Sequence, residues 1–444
     1  MSALRLNGGR PLRGRIRVPG DKSISHRALL LAARAEGTSI VRGLADGDDV
    51  TRTRAAIQTL GAEIEGAHRA GWGRGPTSAR RRGWGPAGAS EHRITGGTDR
   101  LHEPEAVLDV GNSGTGIRLL AGYCAAFDWL TVLAGDASVA RRPMDRVAEP
   151  LRAMGATVDG REGGHYPPLV VRGGGLRGVD YTPPVASAQV KGAVLLAGLG
   201  AEGETVVREP VATRTHTEEM LAACGADVEV GGDGGERVVR LRPSVLTPFV
   251  LDVPGDPSQA AFWVVAACVT PGSDVVVEDV YVGPGRTGFL DVLLRMGADV
   301  EVGERTIRAR YGPLKGTAIG GAEVPSLIDE IPVLAVAAAV AETPSEIGGA
   351  AELRVKESDR IATVADGLRA FGVSLETKAD GFVVAGGARL QGGRADAAGD
   401  HRVAMAMAVA AVAAEGESVV DGWESVATSY PGFEAHLAVL QGEA

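Results

Sequence analysis

Aromatic residues are scarce in this chain, at 4% of 444 residues, and lysine is scarcer still, with five in all at 22, 191, 315, 356 and 378. With few rings available, the cores of a chain this long must be built from aliphatic side chains, and the 44% hydrophobic content is enough for two or three domains. Arginine carries nearly all the positive charge, so a lysine inside a motif suggests a need for a flexible ammonium. Cysteine occurs only at 124, 224 and 268, each in an apolar helical setting. That excludes a disulfide framework and suits a reducing compartment. No apolar run reaches membrane-spanning length or resembles a signal peptide, so a cytoplasmic protein without a membrane partner is expected. The net charge of -10 excludes a general nucleic-acid binder. An anionic ligand would need a locally focused cluster of cations.

Glycine is abundant, with 64 residues, and part of it is periodic. A helix end, a glycine and an acid-bearing strand recur at Gly61, Gly155, Gly225, Gly297 and Gly372, and Gly442 extends the series. After a first gap of 94 residues the steps are 70, 72, 75 and 70. Each glycine lies where a left-handed helix cap would fall. A second marker, small and polar residues opening an apolar helix, recurs at Gly20, Gly111, Ala186, Gly255, Ser326 and Gly399 with nearly the same step. The unit reads loop, helix, strand, helix, strand pair, six times over. Six units exceed one core, so two halves of three units are expected: 21–245, and 1–20 together with 246–444. The strand at 12–18 has no place in the first unit and should pair with the last ones. The chain should then cross between halves near Gly20 and again near 244–247.

The excess length of the first gap lies in a Gly/Arg/Pro-rich insertion, residues 66–91. Its composition predicts a solvent-exposed, disordered loop. Nucleic-acid binding through its Arg and Trp residues is the weaker reading.

The chemistry concentrates at the helix openings. In Pro19-Gly20-Asp21-Lys22-Ser23-Ile24-Ser25-His26-Arg27, two cations crowd the first turn of a helix. Free N–H groups and the positive dipole end normally repel cations from such a turn. Either Ser23 is an N-cap with the cations in solvent, or an anion docks among them. This is not a P-loop, because no glycine immediately precedes Lys22. The second opening offers Asn112, Ser113, Gly114, Thr115 and Arg118, the third Ser187, Gln189 and Lys191, the fifth Asp329 and Glu330, and the sixth Asp400, His401 and Arg402. At matched repeat positions these groups can converge about a local threefold into a pocket rich in cations and N–H groups. Arg141 and Arg142 precede a helix that Pro143 can start. Lys356 and Arg360, four apart, are read as one face of a helix, with Glu357 between them as an ion-pair partner or a proton-transfer group.

Taken together, PGDKSISHR, GNSGTGIR, RRPMDRV, ASAQVKGAVLLAGL, LRVKESDRI and GDHRVAM closely resemble the motifs of the 3-phosphoshikimate 1-carboxyvinyltransferase (EPSP synthase) family, in its Ser-Ala-Gln branch. The resemblance runs from about Arg15 to Phe433 and fails only over the insertion at 66–91. It implies an α/β fold of two similar domains, each of three βαβαββ repeats forming an inverse α/β barrel, with the active site in the interdomain cleft. It further implies transfer of the enolpyruvyl group of phosphoenolpyruvate to the 5-hydroxyl of shikimate-3-phosphate, through a tetrahedral intermediate. No metal or organic cofactor and no partner beyond the two substrates is implied, and a monomer is expected. By motif, Lys22 resembles a residue touching both substrates. Ser23, Arg27, Ser187, Ala188, Gln189, Arg214, Asp329 and Lys356 resemble shikimate-3-phosphate contacts. Gly114, Arg142, Gln189, Arg360 and Arg402 resemble phosphoenolpyruvate contacts, and Asp329 and Glu357 the proton-transfer pair. Relatives tolerant of the inhibitor glyphosate often carry Ala where this chain has Gly114.

One departure stands out. Many relatives have a Lys just before a final aromatic-Pro pair, whereas this chain reads Ala427-Thr428-Ser429-Tyr430-Pro431. Two rival readings would require other residues. The enolpyruvyl transferases acting on UDP-N-acetylglucosamine usually place a Cys in the loop before the Arg-Pro pair, and Gly135–Ala140 has none. A non-catalytic paralogue should have lost Asp329, Glu357 or an Arg cluster, and all are present.

Overall fold

The computed structural model describes residues 2–66, 90–232 and 236–443. Most of the insertion at 66–91, from 67 to 89, lies outside the described residues. The chain divides into two compact units: unit 1 is Met1–Val18, Val211–Arg214 and Gly255–Ala444, and unit 2 is Pro19–Pro210 and Thr215–Pro254.

Unit 2 holds three four-stranded sheets. In spatial order they are Val250–Asp252, Gly37–Arg42, Glu91–Gly96, Glu63–Glu65; Leu108–Asp109, Leu130–Ala134, Tyr166–Arg172, Thr157–Arg161; and Asp180–Tyr181, Thr205–Glu209, Arg237–Leu241, Val228–Gly231. In each sheet the first pair is parallel and the other two pairs are antiparallel. Unit 1 repeats the pattern with Arg13–Ile16, Asp274–Glu278, Thr306–Arg310, Asp299–Val302, then Ala318–Ile319, Ser345–Ile347, Gly381–Val384, Leu375–Lys378. The sixth sheet has three strands, Arg394–Asp396 and Glu417–Asp421 in parallel and Ala3–Asn7 antiparallel. The strand after each periodic glycine, from Glu63–Glu65 to Leu375–Lys378, is the sheet's outer strand, and its charged side chains deter further pairing.

The two leading strands are exchanged between repeats. Arg13–Ile16 precedes the first helix, Lys22–Arg34, yet pairs with Asp274–Glu278 of the fourth repeat. Val250–Asp252 precedes the helix Pro257–Val269, yet pairs with Gly37–Arg42 of the first repeat. The early strand therefore pairs in the later half, as expected, but with its first repeat, while Ala3–Asn7 completes its last. Residues 246–254, expected in that half, run with unit 2 because of the Val250–Asp252 pairing, and Val211–Arg214 belongs to unit 1.

Beyond their polar first turns the repeat-opening helices are mainly apolar and are buried on nearly every side. In unit 1, Pro257–Val269, Ile331–Val340 and His401–Ala413 pack on one another. In unit 2, Gly114–Ala125 packs so closely on Ala188–Gly198 that a Cβ on Gly122 would lie 2.1 Å from the Ala193 carbonyl oxygen. The second helix of each repeat buries only one side, as in Asp145–Ala153, where Val147, Ala148, Pro150 and Leu151 face inward. The periodic glycines 61, 155, 225, 297, 372 and 442 all have φ between 75° and 108°, the left-handed helix end expected of them.

Candidate active site

The residues singled out in the sequence fall into two sets, one in each unit. In unit 2 the first, second and third helix openings interlock. Asp21, not Ser23, is the N-cap of Lys22–Arg34: its carboxylate accepts from Ile24 N at 2.8 Å, leaving Ser23 inside the first turn. A carboxylate accepts the N–H while its charge also favours the positive helix end, so it displaces the hydroxyl. Lys22 Nζ lies 3.0 Å from Asp49 Oδ2, on the helix Asp48–Thr59 of the same repeat. Arg27 is buried; it donates to Thr217 Oγ1 at 2.7 Å, to the Ser23 carbonyl at 2.9 Å and to the Ala188 carbonyl at 3.4 Å. Ser187 caps the third helix through Val190 N. Gln189 accepts from Arg118 Nη1 at 2.8 Å and donates to Thr115 Oγ1 at 2.9 Å, tying the third opening to the second. Arg142 donates to Asn112 Oδ1 at 2.9 Å and Ser138 Oγ at 3.2 Å, and its Nη1 sits where a Cβ on Gly114 would come within 2.3 Å.

Lys191 does not join this group. It is fully buried, with Nζ 2.8 Å from Glu209 Oε2 and 2.9 Å from Glu218 Oε1. An ammonium this desolvated persists because two carboxylates compensate it, which makes it a structural element.

In unit 1 the set is built around Asp329. Arg214 Nη2 donates to Oδ2 at 2.7 Å, Arg360 Nη1 reaches Oδ1 at 3.5 Å, and Arg402 Nη2 lies 3.6 Å from Oδ2. Arg402 also donates to the Asp329 carbonyl at 3.3 Å. Burial opposes ionisation of Asp329, but Arg402, Arg214, Lys356 and Arg360 together hold its carboxyl well below the usual carboxylate range. The adjacent Glu330 is pushed the other way, by burial and by the Asp329 charge. Two neighbouring carboxyl groups thus differ in their readiness to hold a proton, an arrangement suited to acid–base work.

Arg360 is the hinge of this cluster. It does not share a helix with Lys356: a 3-10 turn, Ala351–Val355, ends at Lys356, and the α-helix begins at Arg360 behind the N-cap Asp359. Asp359 captures the N–H of Ala362 and so fixes the start there. Arg360 donates Nε to Asp400 Oδ2 at 2.8 Å and Nη2 to Glu357 Oε2 at 2.5 Å. Burial works against its charge, but Asp400, Glu357 and Asp329 hold it protonated. Asp400 is itself fully buried and caps the sixth opening by accepting from Arg402 N at 2.9 Å. The fourth opening follows the same plan with Asp256, which caps Pro257–Val269 and accepts from Arg286.

Sequence reading did not find Asp49, Thr217, Asp256 or Arg286, and it assigned no role to Arg118. Asp256 alone carried a signal, the Gly-Asp pair shared with Gly20-Asp21 and Gly399-Asp400. In the stretch lacking the expected Lys, Ser429 and Tyr430 are buried in unit 1, whereas Ala427 and Pro431 are exposed. Tyr430 is buried, its hydroxyl 2.8 Å from Trp263 Nε1 and 2.6 Å from His436 Nδ1. Among the described residues no His, Cys, Asp and Glu cluster could hold a metal ion, and no helix is long and apolar enough to cross a membrane.

An α/β chain of repeated sheets around apolar helices, with clustered cations beside carboxylates of unlike acidity, has the form of a transferase for anionic substrates. The enolpyruvyl transferase NikO of Streptomyces tendae shares the fold, with a TM-score of 0.77 at 19% identity over 99% of this chain and 97% of that one. EPSP synthase of Acinetobacter baumannii superposes with a TM-score of 0.82 at 40% identity, covering 99% of this chain and 98% of that one. The 3-phosphoshikimate 1-carboxyvinyltransferase of Synechococcus sp. (strain RCC307) is 47% identical over 99% of this chain and 100% of its own. That of Gloeobacter violaceus is 49% identical over 98% of each. The model of the EPSP synthase (3-phosphoshikimate 1-carboxyvinyltransferase) family matches residues 6–73 and 87–437, and the chain belongs to that family.

Proposed function

We infer that the chain transfers the carboxyvinyl group of phosphoenolpyruvate to the 5-hydroxyl of shikimate-3-phosphate and releases phosphate, a step of aromatic amino-acid biosynthesis. The observation that carries the assignment of roles is the ionised Asp329 held among Arg214, Lys356, Arg360 and Arg402. Such a carboxylate can take or orient a hydroxyl proton while the surrounding cations bind anions. Glu357, hydrogen-bonded to Arg360, is assigned the proton exchange with the methylene of phosphoenolpyruvate. Addition then gives a tetrahedral ketal phosphate, and elimination breaks its C–O bond to phosphate.

Lys22, Ser23, Arg27, Ser187, Ala188, Gln189, Arg214 and Lys356 are assigned to shikimate-3-phosphate. Lys22, Gly114, Arg142, Gln189, Arg360 and Arg402 are assigned to phosphoenolpyruvate. Arg27 supports this division by its place, since it is held against Thr217, Ser23 and Ala188 at the helix openings that carry the other residues of this set. The substrates require no further partner, and the reading places the enzyme in the cytoplasm as a monomer. A coupled phosphate-release assay tests it: shikimate-3-phosphate with phosphoenolpyruvate should release phosphate, and UDP-N-acetylglucosamine with phosphoenolpyruvate should not. No release with either acceptor would overturn the assignment in favour of a binding protein.

A further inference from the structure

At the far end of the helix that carries Lys22 and Arg27, unit 2 has a second cationic feature. The helix Lys22–Arg34 is thirteen residues long, so Arg34 lies roughly 18 Å from Lys22 along the axis. Arg34 is 6% exposed and lines a cleft of about 290 Å³, together with Glu36, Thr98, Leu199, Val245 and Leu246. Among the described residues its guanidinium forms no hydrogen bond and no ion pair, and Nη1 is fully buried without a partner. The ring of Phe127 lies 5.1 Å from the guanidinium carbon, and Tyr123 is near enough to act on its charge. Burial pulls the group below its ordinary pKa.

Two further buried donors lack acceptors around the same ring. Among the described residues the Tyr123 hydroxyl and the Trp129 indole N–H have no partner, and their rings sit 5.7 Å and 4.3 Å from that of Phe127, although neither residue lines the cleft. Buried polar groups in folded proteins are nearly always satisfied, so the idle Nη1 of Arg34, a residue that lines the cleft, marks a place where an acceptor belongs. Glu36 does not supply it. One of its oxygens is taken by the N–H and hydroxyl of Thr98, and it stays more than 4 Å from Arg34 while sharing the cleft. Leu199, Val245 and Leu246 give the cleft an apolar wall.

We propose that this cleft is a binding site for a small carboxylate with an apolar body, its carboxylate accepting from Arg34 and its body lying on Leu199 and Leu246. A carboxylate offers two acceptor oxygens in the plane of a guanidinium, and an apolar body would displace water from the wall. The site is separate from the residues assigned to catalysis and does not depend on that assignment.

The test uses the full chain and benzoate as probe, followed by ligand-observed NMR titration. Benzoate should bind with a Kd in the millimolar range or tighter, and the neutral isostere benzamide at least about tenfold more weakly. Arg34→Met should weaken benzoate at least about tenfold while phosphate-release activity is kept. If Arg34→Met does not fold, Val245→Trp replaces it, because Val245 is exposed on the cleft and an indole there would fill the space the probe needs. No benzoate binding by the parent, equal binding of benzamide, or an unchanged Kd in the deciding variant would each overturn the proposal.

Discussion

At the scale of single residues, the site assignment separates groups that bind from groups that move protons. Asp329→Asn keeps shape but removes the charge that Arg214, Arg360 and Arg402 surround, and Glu357→Gln does the same beside Arg360. Each should lower kcat by roughly 10²–10⁴-fold. Affinity for shikimate-3-phosphate should hold or tighten in Asp329→Asn, because the cations lose their internal counter-charge. Arg27→Ala should instead weaken shikimate-3-phosphate by about 1.5–3 kcal/mol, the worth of a charge-assisted contact, with kcat largely kept. Steady-state kinetics with direct binding measurements separates these outcomes; near-normal kcat in both carboxylate variants would remove them from the mechanism.

A second residue-scale expectation concerns acid stability. Burial first, then Lys22 and Arg27, lower the His26 pKa to about 3, so the folded protein keeps this ring neutral. The unfolded chain takes up the proton near pH 6.5. The stabilisation from keeping His26 neutral is therefore complete above pH 6.5 and is lost as pH falls toward 3. Denaturant titrations at pH 7 and pH 5 should show His26→Gln losing less stability on acidification than the parent, by about 2 kcal/mol. An equal loss in both proteins would mean that His26 is not the group responsible.

At the scale of elements, the helix openings determine which side chains can meet. Gly114 begins Gly114–Ala125, and a methyl there would press on Arg142 Nη1 before it met any ligand. Gly114→Ala should therefore displace Arg142 and raise the KM for phosphoenolpyruvate, and raise the inhibition constant of the longer glyphosate by more. Equal loss for both ligands would refute the steric part of this argument. Lys191, three residues into Ala188–Gly198, illustrates the opposite case. Lys191→Met would remove a buried ammonium shared by Glu209 and Glu218, leaving Glu218 to the partly exposed Arg237 at 3.3 Å, and should cost about 3–5 kcal/mol of stability. The folded fraction should keep a normal KM for both substrates; a raised KM without destabilisation would restore Lys191 to the ligand set.

At the scale of the whole molecule, the exchanged strands define what can fold alone. Residues 19–254 contain every strand of the three sheets of unit 2, including Val250–Asp252 against Gly37–Arg42. That fragment should unfold cooperatively by circular dichroism. A fragment ending at 245 should be aggregated or molten, because it leaves Gly37–Arg42 as an unpaired edge. Equal behaviour of the two fragments would show that the exchanged strand is dispensable.

The sequence alone determined the sixfold repeat, the helix openings and the glycine ends, because each of these depends on residues a few positions apart. The apolar helix and its capping glycine are written in one short stretch, and their recurrence is countable. Which strand completes which sheet was not legible: Arg13–Ile16 finds Asp274–Glu278 across the chain, and short strands carry no address for a distant partner. Nor was the choice of cap at Lys22–Arg34, where Asp21 and Ser23 both had suitable side chains. Placing Lys356 in a helix failed because Asp359 starts that helix three residues later. Charge states were decided last of all. Lys22, Lys191 and Arg360 look alike as cations in a motif, but only tertiary packing sets beside each the carboxylates that hold it. Coulombic interaction and desolvation depend on distance through space, and sequence separation does not report that distance.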